Sequence, residues 1–90
     1  MPELGRLEVN VARGFADSEF YVMVPGGPAA YVSRDLVFVK VIPIAGAEVP
    51  GHVQVYVLER GEDDALIELP GQPVIGGLRA RVDKSLLLSA

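Results

Sequence analysis

Leu7, Val9 and Val11 alternate with Glu8 and Asn10, and past the middle of the chain Val53, Val55 and Val57 alternate with Gln54, Tyr56 and Leu58. A period of two places one set of side chains on a buried face and the other in solvent, the mark of a half-buried strand. No window sustains a 3.6-residue period over the roughly 10–12 residues a helix requires. The chain is therefore expected to be all-β. Further strands are predicted at Glu19–Val24, Ala30–Val32, Ala65–Leu69 and Leu78–Val82. The apolar run Leu36–Ile44, with Lys40 its one charge, is also read as a strand, because of its β-branched content and Pro43. Pro25-Gly26-Gly27-Pro28 and Pro70-Gly71-Gln72-Pro73 act as stops, since proline cannot donate to a central ladder.

The two passes share their punctuation in the same order. Val9-x-Val11 before Arg13-Gly14 recurs as Val55-x-Val57 before Arg60-Gly61, with one extra residue. Val24-Pro25-Gly26-x-Pro28 recurs as Leu69-Pro70-Gly71-x-Pro73. Tyr31 to Val37 recurs as Arg81 to Leu87, the second copy needing about five added residues around Val74–Leu78. Candidate repeats at 7–44 and 53–89 follow. Ser33 and Asp83 fall at equivalent places and are of the types that cap a helical turn, so a one-turn segment is expected after each, with Leu36 and Leu86 turned to the core. Neither half is large enough to fold alone. Two halves packed about a pseudo-twofold axis predict one domain over 1–90: a small closed or partly open β-barrel of about six to eight short strands.

The second half resembles part of an SH3-like barrel, in which a short helical turn precedes the final strand, as Val82-Asp83-Lys84-Ser85-Leu86 would here. The resemblance spans about 35 residues and rests on no diagnostic motif; the aromatic and acidic features with which SH3 domains hold proline-rich peptides have no counterpart. Pseudo-twofold barrels of the double-psi kind fit the length and the duplication equally well.

Composition removes functions more readily than it supplies them. Cysteine is absent, which excludes disulfides, thiolate metal sites and thiol catalysis. His52 is the single histidine and is read as a surface residue, because a metal site or a catalytic triad needs partners it does not have. Glu62-Asp63-Asp64 lacks the spacing of a calcium loop and is read as a solvated hairpin tip. Gly71 to Leu78 has the glycine spacing of a phosphate loop, but Gly77 and Leu78 stand where lysine and a hydroxyl are required. It is read instead as a long flexible functional loop, with Gly71, Gly76 and Gly77 its pivots. No catalytic residue, metal ligand or cofactor is assigned.

A net charge of −4 disfavours indiscriminate nucleic-acid binding. The Met1–Gly5 start is unlike a signal peptide, and no apolar run approaches the ~20 residues that cross a bilayer. A cytoplasmic protein with no membrane partner is expected. Arg79, Arg81 and Lys84 cluster, the two arginines on one strand face; the alternatives are a phosphate-binding patch or an outer face paired with Glu68. Tyr31 and Tyr56, with Tyr21, offer either a stacking platform for bases or cross-strand packing. The leading functional expectation is a non-catalytic interaction module, an adaptor or small subunit that binds a protein or itself. The alternative is a nucleic-acid binder using Arg79, Arg81 and Lys84.

Overall fold

The computed structural model describes residues 3–89. It is all-β: one curled antiparallel sheet forming a half-barrel, with no α-helix among the described residues. The strands are β1 (Glu3–Arg13), β2 (Glu19–Met23), β3 (Ala29–Ser33), β4 (Val37–Val39), β5 (Val49–Arg60), β6 (Asp64–Glu68), β7 (Gln72–Ile75), β8 (Arg79–Asp83) and β9 (Leu87–Ser89). Seven of them form the path β7-β3-β2-β1-β5-β6-β8, with β4 attached to β5 and β9 to β1.

The long strands β1 and β5 form the spine, paired from Glu3↔Val57 to Val11↔Val49. Their alternation is realised as expected. Leu7, Val9, Val11, Val53, Val55 and Val57 point inward and meet Val22, Val32, Ile67 and Leu69 in one core that buries no polar side chain among the described residues. Burying aliphatic side chains of this size contributes about 1.5–3 kcal/mol each.

Pairings away from the spine come in matched sets. Val37 and Val39 of β4 lie opposite Val53 and Gly51, while Leu87 and Ser89 of β9 lie opposite Leu7 and Gly5. The Val24 amide donates to the Pro28 carbonyl at 2.9 Å, and the Leu69 amide to the Leu78 carbonyl at 2.8 Å. The one-turn 3₁₀ helices Arg34–Leu36 and Lys84–Leu86 are each tied by their first amide, to the Ser18 and Asp63 carbonyls, both at 3.0 Å. Leu36 and Leu86 pack against the core, as expected. The extra residue before Gly61 is a bulge: register slips between Val57 and Glu59, leaving Leu58 without an opposite number.

Several expectations need correction. The run Leu36–Ile44 is a strand only at Val37–Val39; beyond it Pro43 has no amide to donate and the chain turns at Gly46, which has φ +80°. The segment read as a long flexible loop contains β7, which lies along β3 with Tyr31↔Gln72 and Ala29↔Ile75. Leu78, rather than Pro73, thus accepts from the Leu69 amide as Pro28 does from that of Val24. The sheet is a half-barrel rather than a closed barrel: its path ends at β7 on one side and β8 on the other, and among the described residues these two edge strands do not pair. Asp83 caps as expected, accepting from the Ser85 amide at 2.9 Å, but Ser33 makes no capping bond and its hydroxyl donates to Asp35 instead.

Candidate functional site

The arginines of the outer face are already matched by acids. Arg79 lies directly opposite Glu68 on β6, and its Nε donates to that carboxylate at 2.9 Å. Arg81 and Glu59 both stand opposite Leu66, so they join over it at 2.8 Å, with Asp64 at 3.4 Å from the same guanidinium. The hydrogen bond to Glu59 is the main cause of the upward shift of the Arg81 pKa. The bulge at Leu58 is what brings Glu59 into line. Lys84 lies in the second 3₁₀ turn, outside this network, and makes no ion pair among the described residues.

The tyrosines do not form one platform. Tyr31 is half-buried between Tyr21 and Phe15, with ring centroids 5.3 Å from each. Tyr56 lies on β5, three strands from the β3 of Tyr31 in the sheet order, opposite Leu4 on one side and Glu68 on the other. Gly71, Gly76 and Gly77 shape the β7 excursion. Gly71 has φ +112°, and a Cβ there would fall 2.1 Å from the Tyr31 carbonyl oxygen, so only glycine lets the two backbones approach this closely. The hairpin tip at Glu62–Asp64 is a turn closed by the Gly61 amide on the Asp64 carbonyl at 2.8 Å.

A roomier concavity lies elsewhere, where the chain leaves β4. A cleft of about 990 Å³ runs from Phe20 past β4 to the first residues of β5. Val37, Phe38 and Val39 all line it. Successive side chains of a strand point to opposite faces, so three in a row line one cleft only where it follows the strand's edge. Among the described residues no other strand pairs with that edge: β4 is bonded to β5 alone. The outer wall is the segment after β4, where Val41 and Ile42 line the cleft and stand 65% and 60% exposed; just beyond them Pro43 is buried and Ile44 is 73% exposed. A turn closed by the Ala47 amide on the Ile44 carbonyl, at 3.1 Å, holds this wall. A second cleft of about 390 Å³ shares Phe20, Arg34 and Ile42 with the first and extends it toward Arg13.

The rim carries Arg34, Lys40, His52 and Glu8. Arg34 lies over the Phe20 ring, 4.7 Å from its centroid, and donates to the Asp17 carbonyl at 2.9 Å. Arg6 stacks on the outer side of Phe38 at 3.8 Å. His52 is half-buried in β5, directly between Phe38 of β4 and Glu8 of β1, rather than on open surface. None of these rim residues except His52 is singled out by sequence reasoning. The available signal is the proline inside an apolar run that lacks period-two alternation, which marks a strand that stops early. No family model matches this chain, and neither a curated protein nor a solved structure resembles it significantly.

Proposed function

We propose that this protein is a non-catalytic protein-binding module, an adaptor or small subunit of a larger assembly, that docks a partner in the cleft beside β4. The observation that carries this reading is the exposure of Val41, Ile42 and Ile44 in one short segment anchored by Pro43. Water contact with clustered apolar surface costs about 25 cal/mol per Å², and a fixed patch of this kind rimmed by polar groups marks an interaction site. The nucleic-acid reading has less support, since Arg79 and Arg81 are held by Glu68, Glu59 and Asp64. We also infer that the half-barrel descends from a duplicated unit; the matched registers of β4 on β5 and β9 on β1 support this.

Panning a displayed library of random peptides against the protein tests the docking reading. Selected peptides should shift the backbone amide resonances of residues 37–42 and 49–52. Binding should fall at least tenfold in a Val41→Ser, Ile42→Ser double variant. Binders that map to another surface, or a library that yields none, overturn the reading.

A further inference from the structure

The cleft beside β4 has a charge as well as a shape. The chain has 8 lysines and arginines and a net charge of −4. Among the described residues Arg60, Arg79 and Arg81 are ion-paired, and all three lie in the second half of the chain. Of the remaining bases, Arg34 and Lys40 stand on the main cleft, Arg13 on its extension and Arg6 on the far side of Phe38. Only Lys84 lies elsewhere. Against them the main cleft presents one acid, Glu8, at the β1 end, while in the extension Arg13 is joined by Asp17 and Glu19, so the excess of positive charge lies in the main cleft, at Arg34 and Lys40. In the main cleft of an acidic protein, two cations that make no ion pair among the described residues thus stand against one acid.

Resting on the docking reading above, we propose that the partner is an extended peptide segment of alternating apolar and acidic residues, which adds as a strand to the free edge of β4. Three observations fit that occupant. Among the described residues no strand but β5 pairs with β4, and beyond the Val37 amide, which donates to the Arg34 carbonyl, its outer edge is open along the cleft to an incoming strand. Alternate side chains of such a strand would reach the wall at Val41 and Ile42. The others would point to the rim, where carboxylates meet Arg34 and Lys40. Lys40 is exposed and free of hydrogen bonds and ion pairs among the described residues, so its ammonium is available without breaking a contact.

Five seven-residue probes test this: alternating Val–Glu, Val–Lys and Val–Ser peptides, and Val–Glu peptides N-methylated on one edge or the other. The Val–Glu peptide should bind at least tenfold more tightly than Val–Lys, weaken as salt rises, and protect the Val39 amide from exchange, since the Val37 amide is already bonded to Arg34 and that of Phe38 faces β5. Lys40→Glu should reverse the preference between Val–Glu and Val–Lys. Lys40→Glu touches no packed residue, whereas Arg34→Glu would also remove the contacts to Phe20 and Asp17. Equal binding of Val–Glu and Val–Lys overturns the charge matching yet leaves the docking reading standing, provided the cleft amides still shift. Undiminished binding both of the N-methylated probe and of its counterpart methylated on the other edge overturns strand addition. Failure of all five probes overturns the inference, while the library selection judges docking separately. A concentration-dependent dimer that Lys40→Glu abolishes would make a second copy the occupant and overturn it too.

Discussion

Gly51 shows how closely two backbones approach in this fold. A Cβ at Gly51 would meet the Val39 Cγ1 at 2.7 Å and the Phe38 carbonyl oxygen at 2.9 Å, so β4 would have to move. At Gly5, where β9 crosses β1, the corresponding contacts are 3.1–3.3 Å, tight but able to relax. Gly51→Ala is therefore expected to destabilise the protein by about 1–3 kcal/mol in urea unfolding, with Gly5→Ala costing less. Charges at the chain's margins set the acid limb of stability. Glu3 is held below its ordinary pKa chiefly by its hydrogen bonds from Arg60, and Asp83 by the Ser85 amide. A carboxylate depressed in the folded state contributes fully above its unfolded pKa, and that contribution is lost as pH falls through the folded value. Stability should therefore decline on acidification below the ordinary carboxylate range, and the decline should be shallower in a Glu3→Gln, Asp83→Asn variant. Thermal midpoints measured from pH 7 to pH 2 check this; parallel curves for the two proteins would refute it.

Among the elements, β7 is the one whose presence the alternation did not announce. All four of its residues are exposed, so it adds backbone pairing to β3 but little to the core. Excising residues 72–76 leaves Pro70-Gly71-Gly77 between Leu69 and Leu78, the same three residue types that join Val24 to Pro28. Gly26 and Gly71 both have positive φ, so the shortened turn has the glycine where the tight geometry requires it. The excised protein should fold, with stability within about 1 kcal/mol of the parent and unchanged amide shifts in β1, β5 and β6. A collapsed or aggregated product would show that β7 is needed to cover the β3 edge. The same comparison explains why β7 was hard to read. Pro73 argues against a central strand, and only an edge position, decided by the path of the chain in space, makes it compatible with pairing.

At the scale of the molecule, the halves are interlocked. β4 leaves the first half to pair with β5, and β9 returns from the second to pair with β1, while the two spine strands lie against each other along most of their length. Neither half can detach without breaking both crossings and opening the shared core. Unfolding in urea followed by far-UV circular dichroism and by tyrosine fluorescence should therefore give coincident single transitions. Two resolved transitions would mean that the halves are independent units.

Much of this fold was legible in the order of residues, for a local reason. Period-two alternation in Leu7–Val11 and Val53–Val57 fixes which side chains share a face, whatever the strands pair with. Proline and glycine stops and the two one-turn segments likewise act within a few residues. One residue more ahead of Arg60-Gly61 than ahead of Arg13-Gly14 was visible too, though not that a bulge forms at Leu58. Pairing was not, because hydrogen bonds between strands carry no residue-specific signature. The same apolar run reads as one strand or as a short strand and an arm, until a neighbour is found or missing. The edge of β4, the exposure of Val41, Ile42 and Ile44, and the gathering of Arg6, Arg13, Arg34 and Lys40 depend on distances between residues far apart in the chain. The alternating residues therefore determined an all-β protein with one shared core. Tertiary structure alone decided that its sheet stays open and where its unmatched cations and exposed apolar side chains meet.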